Sequence, residues 1–102
     1  MKPLGKDRLN QLRLTAHISL WGRVPSCLRS VSLGVGDIEI QFRCYFDSPP
    51  TDAEIDLLKA AGEEISYCGP KLFSFQEDFR VLPSPSKMEH LSELIFLRYE
   101  PN

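Results

Sequence analysis

Two histidines, His17 and His90, are the only imidazoles in the sequence. They lie most of the chain apart, and neither neighbours a cysteine or an acidic cluster at metal-ligand spacing. A ligand site needs at least three convergent donors, so no metal and no cofactor is expected. Cys27, Cys44 and Cys68 form no Cys-x-x-Cys spacing and are odd in number; they are expected to be reduced, mostly buried thiols. No Gly-x-Ser-x-Gly elbow is present, and Gly34-Val35-Gly36 runs into Asp37-Ile38-Glu39-Ile40 rather than a helix, which suits a turn and not a phosphate loop. The paired carboxylates Glu63-Glu64 and Glu77-Asp78 could in principle serve acid–base chemistry. Adjacent residues on a helix, however, diverge by about 100°. The expectation is a protein that is not an enzyme.

The charges point instead to binding. Residues 1–45 carry seven Lys/Arg against three Asp/Glu, a balance of +4, and residues 46–102 carry five against eleven, a balance of −6. Arg8, Arg13, Arg23 and Arg29 are scattered with no interleaved aromatic platform, so direct nucleic-acid binding is not expected. The acidic half gathers Asp47, Asp52, Asp56, Glu63 and Glu64, with Tyr67 beyond them and only Lys59 in opposition. Such a row is commonly a solvated face that keeps a protein soluble. It also suits docking to a cationic protein partner, with Tyr67, and Trp21 in a loop, as aromatic anchors.

Those residues need a scaffold, and the composition supplies one. With 42% hydrophobic and 25% charged residues, the chain can bury a core. Its 102 residues suit one domain, 1–102, with 1–10 expected to fray. Apolar runs such as Ile95-Phe96-Leu97 are far short of the ~20 residues of a membrane span. No apolar stretch follows the basic N-terminus, so the cytoplasm is the expected location and a monomer the expected state. Leu12, Leu14, Ala16, Ile18 and Leu20 alternate with polar residues, the period of a first strand. A single helical turn over 26–29 follows. Val31–Val35 and Ile38–Phe46 then flank Gly36-Asp37 as a β-hairpin. Thr51-Asp52-Ala53-Glu54 is a capping box, opening an amphipathic helix that Gly69, as a left-handed cap, and Pro70 close. In 72–82, Phe73, Phe75, Phe79 and Val81 share a strand face that Glu77 interrupts, which predicts a bulge at 76–78. A helical turn over 87–91 and a last strand over 93–99 complete the order β-β-β-α-β-β. The predicted class is α+β, a mostly antiparallel four- to five-stranded sheet with one long helix on one face.

Five stretches carry a family resemblance: Leu28-Arg29-Ser30-Val31-Ser32, the segment from Ile38 to Asp47, the helix capped at Thr51, Phe79-Arg80-Val81-Leu82-Pro83, and the segment from Leu94 to Glu100. Together, from Arg13 onward, they resemble the small bacterial immunity proteins of contact-dependent growth inhibition systems, the CdiI type. Where that pattern has a glycine after Phe-Asp, this chain has Ser48-Pro49. The resemblance implies a cytoplasmic, non-catalytic protein. Its partner would be a cognate toxin, the C-terminal domain of a cell-surface effector, often a nuclease acting on RNA, whose active site it blocks. The alternative reading is a small non-catalytic adaptor or subunit that adds its sheet edge to a larger complex.

Overall fold

In a computed structural model, which describes residues 5–101, the segment expected to be the first strand is a helix, α1 (Lys6–Ser19). The alternating residues explain why. Leu12, Ala16 and Leu20 recur every four positions and are buried, whereas Leu14 and Ile18 stand on the opposite side, in solvent. Two helical stripes, interleaved, imitate a period of two. Lys6 to Asn10, within the stretch expected to fray, is already helical and Gly5 leads into it in an extended conformation; residues 1–4 of that stretch lie outside the described residues. Leu20 and Trp21 continue the winding by donating to the carbonyls of His17 and Ile18. Gly22 then turns the chain at φ 74°, a left-handed conformation that glycine adopts without strain.

Only a turn, closed by the Leu28 N–H on the Pro25 carbonyl, precedes β1 (Leu28–Val35), so the helical turn expected over 26–29 is absent. β1 pairs antiparallel with β2 (Glu39–Phe46), and the Gly36 N–H closes the hairpin on Glu39 at 2.8 Å. Helix α2 (Asp52–Cys68) begins at the expected capping box. The Glu54 N–H donates to Thr51 Oγ1 at 3.1 Å, and the Thr51 N–H donates to Glu54 Oε1 at 2.8 Å. Gly69 is extended, at φ −79°, rather than left-handed. A Cβ there would fall 2.7 Å from Ile40 Cδ1, so the end of that side chain would have to shift.

The crossover through α2 lets β3 (Ser74–Val81) lie parallel to β2, since parallel neighbours need such a connection. Pairing runs unbroken through Gln41–Gln76, Phe42–Glu77 and Arg43–Asp78, so the bulge predicted at 76–78 is absent. Glu77 does share the row of Phe75 and Phe79, but β3 is an edge strand and its carboxylate reaches solvent. β4 (Glu93–Leu97) pairs antiparallel with β1, giving the order β3-β2-β1-β4. The fold is therefore α+β with a mostly antiparallel four-stranded sheet, as predicted, and with a second helix in place of the first strand.

Leu12, Ala16, Leu58, Ala61 and Ile65 from the helices meet Val31, Leu33, Ile40, Phe42 and Phe46 from the sheet in one core. Phe42, Phe46, Phe75 and Phe79 form ring contacts at 5.9–6.1 Å. Rings of Phe42 and Phe75 come within 3.2 Å of where a Cβ on Gly62 would stand, so glycine lets α2 close on the sheet.

The opposite sheet face is crossed by an irregular strap, residues 82–92, in place of the helical turn expected over 87–91. Tyr45 Oη donates to the Glu89 carbonyl and accepts from the Glu89 N–H. Arg43 donates to the same carbonyl, and the Leu91 N–H donates to Ser32 Oγ. Tyr45, Arg43 and the Ser32 hydroxyl thus satisfy backbone groups of the strap at Glu89 and Leu91.

Candidate functional surface

Helix α2 brings Asp52, Asp56, Glu63 and Tyr67 to one outward face, because their spacing of 4, 7 and 4 follows the helical repeat. All four are exposed. None of the three acids forms an ion pair among the described residues; Glu63 Oε1 accepts only the Tyr67 hydroxyl, at 3.4 Å. Lys59 is the exposed cation among them. The carboxylates therefore remain available to a cation from outside.

Two acids of the expected row are engaged internally. Asp47 accepts the Ser84 N–H at 2.9 Å and Arg98 at 3.2 Å. That N–H, then the Arg98 guanidinium, holds its carboxyl below the usual range. Asp47 thus anchors the strap. Glu64 is paired with Arg23 at 2.7 Å, pinning the turn after α1 to α2. Sequence proximity grouped these acids with the others, but pairing across the fold separates them.

Trp21 is 74% exposed, and it is not alone. Leu14 and Ile18, which sequence reasoning assigned to a strand, align with it at 59% and 44% exposure. Their spacing, i, i+4, i+7, was the signal that could have found this stripe. The other large feature missed in the sequence is internal. Arg29, 2% exposed, gives Nε and Nη2 to both carboxylate oxygens of Glu100 at 2.7 and 2.8 Å, and Nη1 to the Leu82 carbonyl. Arg98 joins Glu100 at 2.8 Å and carries the network to Asp47.

No group of three or more His, Cys, Asp or Glu converges as a metal site among the described residues, and no helix there is long and apolar enough to cross a membrane. The three cysteines are free; burial, then Glu77 and Asp78, pushes the Cys44 thiol up. His17 is exposed on α1. His90 sits on the strap edge-on to Tyr45, with Nε2 buried and unpartnered among the described residues.

Burial first, then the charges of Arg29 and Arg43, holds the His90 imidazole below its ordinary value of 6.5. The folded state consequently binds fewer protons there than the unfolded chain. This stabilisation is complete above about pH 6.5 and is lost as pH falls toward the lowered folded value. Urea midpoints should therefore decline from pH 7 to 5, and His90→Leu should flatten that slope. An unchanged slope in the variant would assign the effect elsewhere.

A carboxylate row on α2 and an apolar stripe on α1 thus lie exposed on the helix layer. No curated protein matches the chain. The model of the MafI2 immunity protein family, in contrast, matches residues 9–100, nearly the whole length, and the chain accordingly belongs to that family, whose members are immunity proteins of toxin–immunity systems.

Proposed function

We propose that this protein neutralises its cognate toxin by direct, non-catalytic binding, and that the outward face of α2 contacts the toxin. The observation that carries this reading is the set Asp52, Asp56 and Glu63, exposed and free of ion pairs among the described residues, on a helix fixed by a capping box. Free carboxylates on a rigid element are preorganised for an external cation, whereas Asp47 and Glu64 are already neutralised inside the fold.

On this reading the toxin is a nuclease domain at the C-terminus of a contact-dependent effector, met in the cytoplasm of the producing cell. A nuclease holds phosphates with cationic groups, and a row of carboxylates can occupy those groups in place of substrate. The complex is 1:1, and its association slows as salt rises, because exposed charges act chiefly on encounter.

The test uses the toxin domain encoded beside this chain. Asp56→Lys with Glu63→Lys should weaken binding at least ~10-fold and reduce the salt dependence of the on-rate, measured by surface plasmon resonance at two ionic strengths. Since both positions are exposed, far-UV circular dichroism should match the parent. Unchanged affinity would remove α2 from the interface, and absence of any binding would remove the toxin as partner.

A further inference from the structure

Leu14, Ile18 and Trp21 present an unbroken apolar stripe on the side of α1 opposite buried Leu12, Ala16 and Leu20. Trp21 lies beyond the helix proper, yet its N–H bond to Ile18 at 3.1 Å keeps it in line. Nothing in the core requires apolar residues there: the packed face of α1 is complete without them. The single tryptophan of the chain thus stands in water at the end of a rigid helix. A contiguous exposed apolar patch of a few hundred Å² is often functional even on a monomer.

Area and charge indicate what covers it. From their fractional exposures the three side chains show roughly 400 Å² of surface, about half of the ~800 Å² each partner buries in a standard interface. An obligate homodimer needs a larger and more apolar face. A hetero-complex needs a small desolvated centre, commonly built around Trp, with a polar rim. That rim is on the neighbouring helix. Arg23, two residues after Trp21, is bonded to Glu64 of α2, so the turn carrying the stripe's end is fixed relative to the helix that presents Asp52, Asp56 and Glu63.

We propose that the Leu14–Ile18–Trp21 stripe is the apolar centre of the toxin-binding surface and the α2 carboxylates its charged rim, so that the toxin presents an apolar hollow bordered by lysines or arginines. This rests on the reading that α2 faces the toxin. The stripe supplies the lifetime of the complex, and the acids its rate of formation.

The chain labelled with 5-fluorotryptophan gives one ¹⁹F resonance of its own, which reports Trp21 directly. Addition of the unlabelled toxin domain encoded beside this chain should shift that resonance. Trp21→Ala should weaken binding at least ~30-fold, mainly through faster dissociation, and Ile18→Ser should act in the same direction. Circular dichroism should show both variants folded. If the resonance stays in place and Trp21→Ala binds like the parent while Asp56→Lys/Glu63→Lys does not, the stripe is overturned and the α2 reading stands. If only the stripe variants lose affinity, the stripe keeps its place as the apolar centre but the charged rim, and with it the α2 reading, is overturned; if neither set does, both fall. A resonance that moves with protein concentration in the absence of toxin would give the stripe to a second copy of this chain and overturn the proposal.

Discussion

Replacing Arg29 by methionine is expected to cost about 3 kcal/mol of stability, read from urea unfolding, because it removes the charged hydrogen bonds of a buried guanidinium and leaves the half-buried Glu100 carboxylate without its main partner. Arg29 makes three hydrogen bonds, two to Glu100 and one to the Leu82 carbonyl, all within 2.8 Å. After the substitution Glu100 keeps only Arg98. Small domains hold about 5–15 kcal/mol in total, so the variant should sit near the limit of folding at 37 °C. Arg29→Lys should recover little, since an ammonium cannot reproduce the bidentate fork. Arg29→Met with Glu100→Met should recover much of the loss, because no buried charge is then left over. A double variant as unstable as the single one would sink this account.

The same pair contributes to the acid sensitivity of the fold. Hydrogen bonding from Arg29, with help from Arg98 and against the effect of burial, lowers the Glu100 pKa from 4.5 to about 2. The folded state therefore releases this proton more readily than the unfolded chain. The stabilisation is complete above pH 4.5 and lost as pH falls through about 2. In Arg29→Met the Glu100 titration, followed by NMR, should move back toward 4.5 and the acid dependence should shrink.

Phe42→Ala should have a comparable effect, about 3–5 kcal/mol, from lost burial and the cavity left behind. Phe42 is fully buried, touches the rings of Phe75 and Phe79 at 5.9 and 6.1 Å, and lies beneath Gly62 of α2. Its removal would take away the surface on which the long helix rests. Toxin binding should fall as well, in proportion to the unfolded fraction, and a saturating toxin concentration should restore it by mass action. A loss below about 1 kcal/mol would mean that α2 settles into the space.

The parts of the fold legible in the sequence are those that local chemistry specifies. Thr51 and Glu54 cap a helix start through three residues of contiguous chain, and the capped helix lies where they place it. Gly36-Asp37 between two alternating segments fixed the hairpin. Helix α1 was misread because its apolar residues serve two sides, core and solvent, and periodicity counts apolar residues without knowing which are covered. The acidic site divided for a related reason. Asp52, Asp56 and Glu63 stay outward by helical geometry, but Asp47 and Glu64 are claimed by Arg98 and Arg23, 51 and 41 residues away in sequence.

By itself, then, the sequence determined the class of fold, the capped helix and the hairpin, since each depends on neighbours within a few residues. Tertiary structure alone decided that β3 runs parallel to β2 at an edge where Glu77 finds solvent, and that Arg29 meets Glu100 across 71 residues. It also decided which acids and which apolar side chains remain for a partner. The reason is physical: pairing of charges and covering of surface depend on what lies within a few ångströms in space, and chain distance carries almost none of that information.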